Sequence, residues 1–134
     1  MNAYILHQNQ FAMYLNQNEI TILCNGQDEK SRKTLVYAST LGKRINKQDL
    51  CEVRVSDTLF EVMMETLHAE GKSVFNKAHP FYQENIKGKE LSNSDYLEYL
   101  KRMPDLLKGP VAMYHNRVVV CNTPTDILKV LNKG

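Results

Sequence analysis

The spacing of apolar residues along this chain changes several times, and each change marks a different predicted element. The first such element is a short apolar run. Residues 19 to 24 (EITILC) mix β-branched and leucine side chains, which predicts a buried, central strand. From Asp28 onward the apolar residues recur at a helical spacing, and Gly42 stands where a glycine commonly ends a helix, so we predict a helix from Asp28 to Leu41. The turn at Asn25-Gly26 joins the two elements.

The middle of the chain is mainly helical in pattern. Residues 43–55 are mainly polar with a few apolar side chains among them. This pattern predicts a second strand, at an edge of the sheet, near Ile45 to Leu50. Ser56 and Asp57 are capping residues, and apolar residues at helical spacing follow them. We therefore predict a second helix that ends at Gly71.

The stretch from Ser73 to Lys89 indicates a short helix and a loop. Ser92 to Arg102 predicts a further helix that ends before Pro104.

The end of the chain predicts a hairpin and a terminal helix. Two strand-like runs, Val111 to Tyr114 and Arg117 to Cys121, flank the two-residue loop His115-Asn116. A last helix should start at Thr123-Pro124. The predicted fold is therefore α/β and thioredoxin-like: a mixed four-stranded sheet flanked by helices, with a helical insertion between its βαβ and ββα halves.

The first 18 residues do not fit this pattern. They are rich in Asn and Gln, and a strand over Tyr4 to Leu6, a helix over Phe11 to Leu15 and a loosely packed extension all remain open. We therefore divide the chain into an N-terminal extension, residues 1–18, and one domain, residues 19–134.

Composition narrows the function classes. Seventeen basic and fifteen acidic residues give a net charge of +2 with no Lys/Arg stripe, so direct binding to nucleic acid is not indicated beyond a local patch. No apolar run approaches the roughly 18 residues of a membrane span, and the N-terminus lacks the features of a signal peptide. Three cysteines without metal-finger spacing are typical of a reducing compartment, so we expect a cytoplasmic protein.

The strand-to-helix junction is the main candidate for chemistry. The first N–H groups of a helix have no partner within it, so they attract anions and stabilise thiolates. Here Asp28 occupies that position, and it is a good N-cap. The four histidines have no metal-binding spacing and no phosphate-binding loop occurs, so we predict neither a metal nor a cofactor.

Several segments together resemble the glutaredoxin-dependent arsenate reductase family, which also contains the Spx transcriptional regulators. The similarity covers about residues 19 to 131 and lies in five segments: the ITI strand, SRKTL at Ser31 to Leu35, NKAHPFY at Asn76 to Tyr82, PDLLKGPV at Pro104 to Val111 and the ending CNTPTDILKVL. The resemblance implies a thioredoxin fold with a helical insertion, and a cis Pro110 beside the turn formed by Asn25, Gly26, Gln27 and Asp28.

The family's functional residues are largely replaced. The resemblance places the nucleophilic cysteine of the reductases at Asp28, and their three oxyanion-binding arginines at Asn76, Gly109 and about Asn122. Arg32 matches an arginine that the family has in its first helix, and we interpret it as a structural or solvated residue. An arsenate dianion facing Asp28 without the three arginines would be repelled.

We therefore predict a non-catalytic, cytoplasmic binding or regulatory module with an unidentified protein partner. One alternative is a thiol-disulfide oxidoreductase or atypical reductase that uses Cys24, with Cys51 or Cys121 as the second thiol and glutathione or glutaredoxin as its partner. The strand order that the resemblance implies makes strands one, two and four parallel, which would bring these three cysteines near one sheet edge. A buried structural role is nevertheless the more common one for such residues. A second alternative, on resemblance alone, is an Spx-like regulator that binds RNA polymerase.

Overall fold

The computed structural model describes residues 18–131, and its sheet is built around the apolar run that the sequence places first. Strand β1 (Glu19–Cys24) lies between β2 (Arg44–Asp49) and β3 (Val111–Tyr114), so it is central, as predicted. The expectations for residues 1–17, a strand over Tyr4 to Leu6 or a helix over Phe11 to Leu15, lie outside the described residues.

The strand order confirms the predicted α/β arrangement. The order is β2-β1-β3-β4, with β4 at Arg117–Val120 and β2 at an edge, as expected. Strand β1 is parallel to β2 and antiparallel to β3, and β3 is antiparallel to β4. Consequently β1, β2 and β4 run the same way and end together at one edge of the sheet, which we call the carboxyl edge.

Helix α1 (Glu29–Ala38) begins where predicted but ends three residues earlier than the expected Leu41. The chain beyond Ala38 tightens, because the N–H groups of Thr40 and Leu41 bond to carbonyls only three residues back. The hydroxyls of Ser39 and Thr40 also donate to carbonyls of the last turn, which competes with helix continuation. Gly42 then takes a φ of +74° and turns the chain towards β2.

Helix α2 (Asp57–Leu67) has Ser56 as its N-cap, as predicted, but Gly71 does not end it. The left-handed residue that closes the helix is His68, with a φ of 57°. Gly71 instead opens a 3₁₀ turn, Gly71–Val74, and is buried where an added Cβ would lie 2.8 Å from the Tyr96 side chain. This glycine is thus required by close packing and not by a helix terminus.

The remaining elements follow the predicted order. Helix α3 (Pro80–Asn85) occupies the stretch expected to hold a short helix, and α4 (Asn93–Arg102) starts with a capping box at Ser92. Short 3₁₀ turns form at Pro104–Leu106 and Pro124–Ile127, and α5 (Leu128–Leu131) follows the second one. The last predicted helix therefore opens as 3₁₀ structure.

Two apolar cores lie on the two faces of the sheet. Alternate β1 residues Ile20, Ile22 and Cys24 pack with α1, α5 and the turn before α5. Leu23 faces the opposite way, into a larger core formed with α2, α3 and α4. Burial on both faces explains why β1 is a nearly continuous apolar run. Within residues 18–131 no helix is long and apolar enough for a membrane span.

Candidate functional site

The turn between β1 and α1 is closed by hydrogen bonds from its own residues. Asp28 has an extended backbone, and its carboxylate accepts the Ser31 N–H at 3.2 Å, which confirms the predicted N-cap. The Asn25 carbonyl accepts the Asp28 N–H at 3.0 Å, and the Asn25 N–H donates to the Ser31 hydroxyl at 3.3 Å. Several donors that an oxyanion would use are therefore already engaged.

Asn25 is a buried organiser of this turn. Its side-chain Oδ1 accepts the Gln27 N–H at 3.1 Å and the Cys51 thiol at 3.3 Å. Only 7% of Asn25 is exposed, so a residue unable to accept these bonds would leave donors unpaired. Asn25 thus connects the end of β1 to the loop that follows β2.

A second carboxylate, that of Asp49, packs against the turn at Gly26, and the sequence analysis did not identify it. Asp49 ends β2 and is 2% exposed, and its Oδ1 accepts the N–H groups of Gly26 and Cys51, each at 2.9 Å. A Cβ at Gly26 would overlap Asp49 Oδ2, so only glycine fits there without movement. Asp49 reaches the turn because Cys24 and Asp49 pair in parallel register, which brings both strand ends to the carboxyl edge.

Arg32 has a structural contact in this turn. Its Nη1 donates to the Gln27 carbonyl at 2.9 Å, and the side chain is exposed. This contact agrees with the interpretation of Arg32 as a structural or solvated residue.

Lys30 is a cation at this site that the sequence analysis did not single out. Its Nζ donates to the Lys108 carbonyl at 3.1 Å. Its Cδ would lie 3.4 Å from a Cβ added at Gly109, so the first turn of α1 touches the segment before β3.

The three positions assigned to oxyanion-binding arginines are occupied by backbone-organising residues. Asn76 is exposed, and its Oδ1 accepts the Ala78 N–H at 3.2 Å. The N–H of Asn122 donates to Asp126 Oδ2 at 2.8 Å. Gly109 is buried, and a Cβ there would overlap the Cys121 carbonyl oxygen, so an arginine does not fit this backbone.

The expectation of a cis Pro110, taken from the resemblance, is wrong. No peptide bond among residues 18–131 is cis, so the Gly109–Pro110 bond is trans, the intrinsically preferred form before proline. Pro110 nevertheless lies at the carboxyl edge, since its carbonyl accepts the Cys121 N–H at 2.8 Å.

His79 caps the helix of the NKAHPFY segment. Its Nδ1 accepts the Phe81 N–H at 3.0 Å, and its Nε2 lies 2.9 Å from Asp105 Oδ2. The imidazole thus joins the start of α3 to the turn before β3, which is a structural role.

The three cysteines lie near the carboxyl edge, as the strand order predicted, and all are free thiols. Cys24 and Cys121 are fully buried. Burial first, then Asp49 for Cys24 and Asp126 for Cys121, raises each pKa to about 12. Cys51 is exposed, and desolvation followed by the Asp49 carboxylate raises its pKa as well. A nucleophilic thiol requires a lowered pKa, so these environments are the reverse of an activated site.

No protein-family model matches this chain, and no curated protein matches it in sequence. Solved structures share its fold. An arsenate reductase from Vibrio cholerae superposes with a TM-score of 0.69 at 20% identity, over 86% of this chain and 99% of that one. A Yersinia pestis protein provisionally named an arsenate reductase gives 0.68 at 19%, over 82% and 98%.

An arsenate-reductase-related protein from Brucella melitensis superposes with a TM-score of 0.57 at 13% identity, over 87% of this chain and 98% of that one. At such identities the likeness shows the fold, which is the predicted thioredoxin-like α/β arrangement.

Proposed function

We propose that this chain is a divergent member of the arsenate reductase family that has lost the family's chemistry. It would act as a non-catalytic, cytoplasmic binding or regulatory module. The three free thiols suit a reducing compartment. The observation that carries the proposal is the turn between β1 and α1, where the Gly26 and Ser31 N–H groups already donate to the chain's own carboxylates, Asp49 and Asp28.

Two negative charges stand where the family binds an oxyanion. Asp28 accepts an N–H of the first turn of α1, and Asp49 accepts the Gly26 N–H from below. Charge-assisted hydrogen bonds to cations are what an arsenate dianion requires, whereas carboxylates repel it at close range. The nearby cations Lys30 and Arg32 donate to backbone carbonyls instead.

Backbone packing makes the loss hard to reverse by one substitution. Because a side chain at Gly109 would overlap the Cys121 carbonyl, the arginine position next to Pro110 is closed. A cysteine at position 28 alone would leave the Asp49 carboxylate bound to the turn. It would also leave the three arginine positions without an arginine. We therefore expect the variant Asp28→Cys to remain inactive.

The thiol-based alternative has no supporting observation. A redox nucleophile at Cys24 would have to leave full burial and overcome a pKa of about 12. The Spx-like alternative rests on resemblance alone, and the cysteine pair that the Spx proteins carry at this turn is absent from the sequence.

The test is an arsenate reduction assay coupled to glutathione and glutaredoxin. We expect no turnover above the protein-free rate from the wild type or from Asp28→Cys. An active arsenate reductase of the same fold is the positive control, and circular dichroism should show that both proteins are folded. Glutaredoxin-dependent turnover by the wild type would overturn the proposal. Turnover by the Asp28→Cys variant but not by the wild type would contradict the expected loss of the oxyanion site, because only the nucleophile would then be missing.

A further inference from the structure

A cavity of about 400 Å³ lies at the edge of the sheet opposite the carboxyl edge. We call it the hairpin pocket and define it by Lys43, Tyr114, His115, Arg117, Val130 and Leu131. Its walls come from the residue before β2, the β3–β4 hairpin and helix α5. Its volume falls in the range of small-molecule sites, roughly 300 to 1,000 Å³.

Two cations in the hairpin pocket, Lys43 and Arg117, have no carboxylate partner within residues 18–131. Lys43 and Arg117 are each half-buried. Asp126, which caps the turn before α5, is engaged elsewhere, because its carboxylate binds Lys129 at 3.2 Å and accepts the Asn122 N–H. Partial burial of like charges without compensation favours an external anion.

The pocket is also shaped by aromatic contacts. Lys43 Nζ lies 5.3 Å from the centroid of the Tyr114 ring, and the Tyr114 and His115 rings are 4.2 Å apart. These contacts fix the Lys43 ammonium and the hairpin rings relative to one another. The pocket is therefore preformed on this side, which lowers the entropy lost on binding a ligand.

The loop itself has an unusual backbone. His115 adopts a φ of 54°, where glycine or asparagine is the usual choice in a two-residue hairpin. Such a conformation costs free energy and occurs preferentially at functional sites. Here the left-handed residue is the one whose ring packs on Tyr114 at the pocket wall.

We propose that the hairpin pocket binds a small amphiphilic anion, in which a phosphate or carboxylate group is attached to a short apolar chain. Lys43 and Arg117 receive the anionic group, and the apolar chain packs on Val130 and Leu131. This site is separate from the turn at Asp28. Tyr114 ends β3, which is antiparallel to β1, and Lys43 directly precedes β2, so both lie at the sheet edge where β1 starts, whereas Asp28 follows the end of β1.

The test is calorimetric titration at low ionic strength with hexyl phosphate, hexanoate and inorganic phosphate. We expect saturable binding of hexyl phosphate or hexanoate, at least tenfold tighter than inorganic phosphate because the chain buries methylene groups. The stronger of the two hexyl ligands identifies the anionic group. Lys43→Gln and Arg117→Gln should each weaken binding by roughly tenfold, since each removes a charge-assisted contact.

Lys87→Gln is the matched control, because it removes one exposed positive charge outside the pocket. It should leave the affinity unchanged within about twofold, because an exposed charge outside the site adds little. Absence of saturable binding of both hexyl ligands would overturn the proposal. An equal loss of affinity in all three variants would also overturn it, since binding would then follow net charge only.

Discussion

At the residue scale, Asp49 is the buried acceptor that holds the turn between β1 and α1. A buried carboxylate that satisfies two backbone N–H groups acts as a permanent internal ligand of the turn. It also explains Gly26, whose missing side chain makes room for Asp49 Oδ2. Under the proposed function, Asp28 and Asp49 are two internal anions in place of an external one.

Asp49→Ala should lower the free energy of unfolding by about 2 kcal/mol or more, because the N–H groups of Gly26 and Cys51 lose their acceptor. Asp49→Asn keeps an acceptor oxygen and should cost less. Urea denaturation measures both. Glu52→Ala, which removes an exposed carboxylate nearby, should stay within about 0.5 kcal/mol of wild type. An Asp49→Ala protein as stable as wild type would contradict this role.

The buried thiols make stability depend on alkaline pH. Burial raises the pKa of Cys24 and of Cys121 to about 12 in the folded state, above the value of 9.0 for an exposed thiol. The stabilisation is therefore complete below about pH 9 and is lost as the pH rises towards 12, since the unfolded chain releases these protons first. The loss is at most about 1.4 kcal/mol per pH unit for each thiol.

Cys24→Ala should show a smaller fall in unfolding free energy between pH 8 and pH 10 than the wild type, as measured by urea denaturation at each pH. The comparison cancels the titration of lysines and tyrosines common to both proteins. Equal pH dependence in the two proteins would mean that Cys24 ionises as readily folded as unfolded.

Residue roles that depend on local sequence were predictable, and those that depend on tertiary register were not. Asp28 precedes an apolar helical pattern, so its capping role follows from a few neighbouring residues. The role of Asp49 requires knowing that Cys24 and Asp49 pair across parallel strands, and the sequence pattern does not reveal that register. His115 likewise gave a hairpin signal, but its left-handed backbone and ring packing arise from the folded structure.

At the element scale, the close approach of two backbone segments fixes the geometry of the carboxyl edge. The segment that enters β3 passes the segment that leaves β4, and Cys121 N–H donates to the Pro110 carbonyl at 2.8 Å. Gly109 lies directly against the Cys121 carbonyl, so the two segments leave no room for a side chain.

Gly109→Ala should destabilise the protein by about 1 to 3 kcal/mol, because the added Cβ forces these segments apart. Thermal and urea unfolding measure the change. Lys108→Ala alters the exposed neighbouring side chain and should have an effect within about 0.5 kcal/mol. If Gly109→Ala were as stable as wild type, the edge would be adaptable and an arginine there would become feasible.

The apolar pattern predicted where helices start better than where they end. Helix starts were predicted closely because Asp28, Ser56 and Ser92 carry the capping side chains themselves. Helix ends were predicted less well because hydroxyls at Ser39 and Thr40 and a left-handed His68 replaced the expected glycine stops. A helix terminus depends on competing hydrogen bonds that apolar periodicity does not report.

At the scale of the whole molecule, the fold was the most predictable property. A βαβ unit, a helical insertion and a ββα unit follow from spacing and turn residues, and solved arsenate reductases share this arrangement. The hairpin pocket was not predictable, because Lys43, Arg117 and Leu131 are far apart in sequence and meet only after the sheet forms. The same scaffold thus carries a closed turn at one edge and an open cavity at the other.

We expect the turn after β1 to take no external oxyanion, because Asp49 and Asp28 already accept the Gly26 and Ser31 N–H groups. Amide chemical shifts of ¹⁵N-labelled wild-type protein, recorded during titration with arsenate, test this claim most directly. We predict no saturable shift at the amides of residues 26–32, even at millimolar arsenate. A saturable shift centred on the Gly26 and Ser31 amides would show that the turn does bind the oxyanion.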